Sequence, residues 1–268
     1  MKVLVIGAGN MGLTYSEGMA TSPLLSKHKL RIYDTDPKKI KLLVQQPLFN
    51  VYDDLEDCLP KADVVFIAVK PYHCEDLFKK MKPLINNDQL FVSLMAGVTI
   101  ELIQDQLGIE KVIRTMPNLP AQVGKGVTSY TESEAVSKLE LIMVRNLLDT
   151  TGTSIHVETE KFIDASTGIS GSGPAYVFYF MQSMLEAALK MGFSQFDSKI
   201  LVRSTFEGAI ELFNQNDISP ENWITRVASK GGTTQAAIDS LDANNVNQLI
   251  QDAAYAAFNR AVELGKEY

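Results

Sequence analysis

Lys2-Val3-Leu4-Val5-Ile6-Gly7-Ala8-Gly9-Asn10-Met11-Gly12 is the stretch that decides the fold. Val3–Ile6 is a short, largely β-branched apolar run with no turn residue inside it, the pattern of a strand buried on both faces of a parallel sheet. It breaks into Gly7-Ala8-Gly9-Asn10-Met11-Gly12, the full G-x-G-x-x-G spacing. In that spacing the first glycine makes a tight turn, the second lets backbone approach a pyrophosphate, and the third packs helix on strand. The following helix would aim free N–H groups and its positive dipole end at the diphosphate. Ile6, Gly7, Ala8, Gly9, Asn10, Met11 and Gly12 are therefore candidate dinucleotide-binding residues.

Working outward, Leu30–Tyr33 reads as the next strand and ends at Asp34. Its distance from the glycines suits a carboxylate that accepts from the adenosine ribose hydroxyls. Asp34 also fits a turn in Asp34-Thr35-Asp36-Pro37, and the two roles are compatible. Such a carboxylate repels a 2′-phosphate, so the expected cofactor is NADH or NADPH with a lean toward NADH; Lys38 and Lys39 lie close enough to tolerate NADPH. Further buried strands are expected at 63–69, 90–94 and 112–115, separated by helices near 38–45, 73–81 and 99–107. Alternation of this kind is the doubly wound signature, with ligands beyond the carboxyl ends of the strands. Ala68-Val69-Lys70-Pro71, Ala96-Gly97 and Pro117-Asn118 follow those ends and form the expected site wall. A strand at 127–130, a helix at 133–149 and a strand at 154–157 extend the first domain.

The expected architecture is thus an α/β Rossmann domain over residues 1–158, with a doubly wound, mostly parallel sheet, followed by an all-α domain over 159–268. Ala175–Met191 is apolar almost all round, and so little solvent face favours a subunit interface. The final helix, about 244–266, repeats small apolar residues at helical spacing, which permits close helix approach.

Bulk properties exclude several classes. At 268 residues the chain can bury a sizeable core. A net charge of −7 without a basic run argues against a nucleic-acid partner, and no run approaches the ~18 apolar residues of a membrane span. Cys58 and Cys74 are too few for a disulfide framework and read as plain thiols in a reducing compartment, so a cytoplasmic location is expected. His28, His73 and His156 have no metal spacing, and no metal is expected; His73 is the one placed to touch the cofactor.

Two later segments carry chemistry. Thr167-Gly168-Ile169-Ser170-Gly171-Ser172-Gly173-Pro174-Ala175-Tyr176 and Ser229-Lys230-Gly231-Gly232-Thr233-Thr234 each set glycines and hydroxyls at an expected helix start, where backbone N–H groups form an anion nest. The second suits a carboxylate, with Ser229, Thr233 and Thr234 adding hydroxyls.

Together with Ala68-Val69-Lys70-Pro71 and Arg114-Thr115-Met116-Pro117-Asn118, these motifs resemble the pyrroline-5-carboxylate reductase family over nearly the whole chain. The resemblance implies reduction of the cyclic imine 1-pyrroline-5-carboxylate to L-proline, the last step of proline biosynthesis, with NAD(P)H. It implies a homodimer, or a higher oligomer built from dimers, with the active site where two subunits meet. By resemblance Thr234 donates a hydrogen bond to the ring nitrogen and is the catalytic candidate. Ser229, Gly231, Gly232, Thr233 and Thr234 hold the substrate carboxylate, and Glu160 lies near the bound ring. Lys230 replaces the family's proline, and Leu119 a threonine; neither change removes a group the chemistry requires. A 3-hydroxyacid dehydrogenase would place a lysine and an asparagine where Val177 and Phe180 stand. A nucleotide-binding sensor without turnover would have no need of the carboxylate nest.

Overall fold

The computed structural model describes residues 1–23, 25 and 30–266, so the expectation for His28 lies outside the described residues. Eight strands form one sheet: β1 (Val3–Ile6), β2 (Leu30–Tyr33), β3 (Asn50–Tyr52), β4 (Val64–Ile67), β5 (Leu90–Ser93), β6 (Val112–Met116), β7 (Gly126–Glu132) and β8 (Gly152–His156). Their spatial order is β3-β2-β1-β4-β5-β6-β7-β8, and every pairing is parallel except β6 with β7. The chain leaves β1 toward β3 on one side and returns to β4 on the other. The gap between β1 and β4 is therefore the switch point where doubly wound folds bind ligands.

The sheet is interleaved with α1 (Asn10–Thr21), α2 (Pro37–Leu43), α3 (Leu55–Cys58), α4 (Cys74–Met81), α5 (Ile100–Leu107), α6 (Lys138–Leu148) and α7 (Glu160–Ser166). After these come α8 (Gly173–Lys190), α9 (Gln195–Gln215), α10 (Pro220–Val227), α11 (Thr233–Ala243) and α12 (Val246–Leu264). Because strand side chains alternate in direction, the sheet feeds two apolar cores. Leu4, Ile6, Val65 and Ile67 enter one; Val3, Val5, Val64 and Phe66 enter the other. Helices on both faces cover these runs, which explains why β1 and β4 carry no polar residue.

The sequence missed β3 and α3. A three-residue edge strand such as Asn50-Val51-Tyr52 has too few positions to show alternation, and only its pairing with β2 makes it a strand. The helix expected at 133–149 starts at Lys138, where Ser137 and Glu140 form a reciprocal capping box.

By contacts the chain divides into two compact units, Met1–Ser172 with Ala256–Tyr268, and Gly173–Tyr255. This division differs from the expected boundary at 158/159, and the reason is physical. Helix α7 packs on β6 and β7, and Arg114 of β6 donates to Glu160 Oε1 at 2.9 Å and Asp164 Oδ1 at 2.5 Å. Those ion pairs tie the first helix after the sheet to the sheet itself. In the second unit α8 and α9 pack together, yet no residue of α8 is buried; Phe178 is 60% and Tyr179 75% exposed.

Candidate active site

The turn after β1 is built as its glycines require. Gly7 has φ +100°, a left-handed conformation costly to any side chain, and its N–H donates to the Tyr33 carbonyl at 2.7 Å. At Gly12 an added Cβ would collide with the Gly7 carbonyl, so this glycine lets α1 sit against the turn. Gly9 has nothing within 4 Å of its would-be Cβ. It caps α1 without a side-chain acceptor, the arrangement that leaves first-turn amides to an anion.

This turn opens into a cleft of about 840 Å³, lined by Ile6–Met11, Asp34 and Ala68–Pro71 with Ala96, together with Tyr33, Thr35, Asp36, Lys39, Tyr72 and His73. A volume of that order is in the range of small-molecule sites. His73 lines it beside Tyr72, with ring centroids 4.4 Å apart. Glycine approach, open helix start and volume together fit a dinucleotide.

Asp34 is 8% exposed and heavily engaged. Its Oδ2 accepts from Ala8 N at 2.7 Å and Lys39 Nζ at 3.2 Å, and its Oδ1 from Asp36 N at 2.8 Å. Burial pushes the carboxyl pKa up, but the Asp36 and Ala8 amides and Lys39 outweigh it and hold it below the ordinary value. The residue expected to face the ribose thus also latches the glycine turn.

Gly12, Gly97 and Asn118 are not among the residues that line the cleft. Gly97 (φ +77°) leaves no room for a Cβ, which would meet Gly265 N and Leu264 Cβ at 3.1 Å. The end of α12 therefore buttresses the Ala96-Gly97 loop. Asn118 has both amide ends occupied: Oδ1 accepts from Val127 N at 2.9 Å and Nδ2 donates to the Ser170 carbonyl at 3.1 Å.

The two later motifs part company. Thr167–Gly171 is not a nest; it is a π-helical turn whose Ser172 N–H donates back to the Thr167 carbonyl at 2.8 Å. Its amides serve the helix, and Gly171 gives way to the Met116 side chain. Ser229–Thr234 does form a turn before a helix. Gly231 has φ +73°, Gly232 caps α11, and the Gly232 N–H donates to the Ser229 carbonyl at 2.9 Å. A Cβ on Gly232 would lie 2.5 Å from Ser229 Oγ and 3.0 Å from the Ser229 carbonyl oxygen, so a side chain there would displace the serine hydroxyl.

Glu160 has a partner set the sequence reading did not anticipate. Its Oε1 accepts from Arg114 Nη1 and from Ile100 N at the start of α5, both at 2.9 Å. Arg114, 1% exposed, is the central residue the sequence reading overlooked. The signal was there: Glu160 and Asp164 are four apart on one helix face, and an arginine inside an apolar strand calls for such partners.

Comparison with known proteins settles the family. The chain is 32% identical to pyrroline-5-carboxylate reductase of Staphylococcus haemolyticus over 99% of its own length and 98% of that protein's. The chain belongs to the pyrroline-5-carboxylate reductase family. The family description "Pyrroline-5-carboxylate reductase dimerisation" matches residues 160–264, and "NADP oxidoreductase coenzyme F420-dependent" matches residues 2–97. Similar solved structures include the pyrroline-5-carboxylate reductase of Coxiella burnetii (TM-score 0.90, 30% identity, 98% of each chain). Another is the pyrroline carboxylate reductase of Plasmodium falciparum with NADP bound (TM-score 0.89, 28% identity, 99% of this chain and 98% of that one). Members of this pyrroline-5-carboxylate reductase family are NAD(P)H-dependent oxidoreductases, and the chain is one. The bare apolar face of α8 lies inside the dimerisation match, as befits a dimeric enzyme acting on a small molecule. A Mycobacterium tuberculosis 3-hydroxyisobutyrate dehydrogenase shares the fold alone, at TM-score 0.51 and 14% identity.

Proposed function

We propose that the chain reduces 1-pyrroline-5-carboxylate to L-proline, and that residues 229–234 hold the substrate. The observation carrying this reading is the Ser229–Thr234 turn: an exposed serine, a left-handed glycine and a glycine cap ahead of α11. With the Gly232 N–H turned back onto the Ser229 carbonyl, the amides of Thr233 and Thr234 are the ones such a cap offers to a carboxylate, with the Ser229 hydroxyl beside them.

The glycine turn and Asp34 would hold NAD(P)H by its diphosphate and adenosine ribose, and the bound dinucleotide would supply a hydride. The hydride goes to the imine carbon and a proton to the nitrogen, converting C=N to CH–NH. Thr234 donates a hydrogen bond to the ring nitrogen; a threonine hydroxyl has no useful acid pKa, so it orients the ring and is not the acid. Fixing the ring by its carboxylate and nitrogen restricts it to near-attack geometry, which accounts for much of the acceleration. Glu160 enters with its carboxylate already paired to Arg114. Arg114 is shared with Asp164, so the cluster keeps a net negative charge that would favour a protonated imine, and Glu160 also fixes the start of α5 after the Ala96-Gly97 loop.

The protein works in the cytoplasm as a homodimer or an assembly of dimers; among the described residues no helix is long and apolar enough to cross a membrane. Purified protein mixed with NADH or NADPH and 1-pyrroline-5-carboxylate tests the reading by absorbance. Substrate-dependent oxidation is expected. Nucleotide binding without such oxidation would leave a sensor in place of a reductase.

A further inference from the structure

The ribose end of the cleft holds an arrangement that the general reading "NAD(P)H" does not resolve. Asp34 is fixed there by the glycine turn: Ala8 N donates to Oδ2 at 2.7 Å and Asp36 N to Oδ1 at 2.8 Å. A carboxylate serving the turn in this way is not free to swing aside for a 2′-phosphate. Asp36, next along the wall, has its Oδ1 taken by Lys38 N at the start of α2. Two acidic residues thus line this end of the cleft, a setting unfavourable to a 2′-phosphate.

Against them stands Lys39, whose Nζ lies 3.2 Å from Asp34 Oδ2. Its side chain is 44% exposed while that of Asp34 is 9% exposed. The pair is asymmetric: a fixed anion and a solvated, movable cation. Half-exposed ion pairs of this kind contribute little to stability. The ammonium sits on a flexible stem and can exchange one oxygen partner for another at little cost.

Resting on the dinucleotide-dependent reductase reading above, we propose that Lys39 decides cofactor choice. It stays on Asp34 when NADH binds and transfers to the 2′-phosphate when NADPH binds, so the chain uses both. Asp34 retains its two amide bonds in either state and has lone-pair capacity left for a ribose hydroxyl. Of the two lysines expected to temper the lean toward NADH, Lys39 is the one paired with Asp34.

The test is titration calorimetry of the full-length protein with 5′-AMP and with 2′,5′-ADP, which differ at the 2′ position alone. Lys39→Ala is expected to weaken 2′,5′-ADP about tenfold and 5′-AMP less than about twofold, since one charge-assisted bond is removed from one ligand only. Lys39→Arg restores 2′,5′-ADP binding. In wild type, 2′,5′-ADP affinity falls more steeply with salt than in Lys39→Ala. Equal weakening of both ligands would make Lys39 a mere brace for Asp34 and overturn the proposal; so would unchanged binding of both. These titrations need no turnover. Failure of the reductase reading shows separately, as wild type that binds both probes yet never oxidises NADH or NADPH with 1-pyrroline-5-carboxylate.

Discussion

The cofactor cleft and the substrate turn are built on opposite plans. At the cleft the elements are tied by internal bonds: Asp34 to Ala8, Asn118 to Ser170, Glu160 to Ile100 and Arg114, Gly97 against Gly265. Ser229, Lys230 and Gly231 are exposed, in a unit whose long helix α8 buries none of its residues. A dinucleotide site can therefore be complete within one chain, whereas a unit so poorly covered calls for a second copy.

The strongest way to break this contrast is to block association. Phe178→Asp places a charge on the apolar face of α8, and we expect sedimentation to show monomers and activity to fall beyond about 10³-fold, a charge buried unpaired being intolerable in an interface. NADH affinity should stay within about twofold; a monomer that keeps full turnover would refute the incomplete-half picture. Next is Arg114→Ala, which leaves Glu160 and Asp164 facing the sheet without their cation. Denaturant unfolding should report a loss of about 3 kcal/mol, and Arg114→Met, which fills the volume, should recover little of it if the pairs matter more than packing. Thr234→Ala should lower kcat on the order of 10²-fold while calorimetry finds NADH binding unchanged. An unaltered kcat would remove Thr234 from the chemistry.

The smallest effect concerns Asp34. Its folded pKa lies below the ordinary carboxylate value, so its stabilising bonds are fully present above about pH 4 and are lost as pH falls through the folded value. Thermal melts should show the advantage of wild type over Asp34→Asn at pH 6 shrinking toward pH 3. A constant gap would mean that the carboxylate charge contributes nothing to the turn.

The glycine turn was legible from residues 7–12 because Gly7 and Gly12 each answer a local steric demand. Strands β1 and β4 were legible because burial on both faces leaves an unbroken apolar run. Strand β3 was not, since its three residues become a strand only by pairing with β2. Ala175–Met191 announced an uncovered helix by composition, and the structure finds α8 bare in the single chain.

Composition and spacing also misled in one instructive place. Thr167–Gly171 and Ser229–Thr234 carry the same residue types, yet one is a π-turn and the other a helix cap. Glycines and hydroxyls state which conformations are available; they do not say which neighbour will claim the amides. In the first segment Met116 fills the space at Gly171 and Asn118 takes the Ser170 carbonyl, contacts from residues some fifty positions earlier in the chain. Glu160 and Asp34 follow the same rule. Their charge and approximate position could be read from the chain, because those depend on local order. Their partners, Arg114 and Ile100 for one, Ala8 and Lys39 for the other, depend on which elements the sheet brings together, and tertiary packing alone decides that.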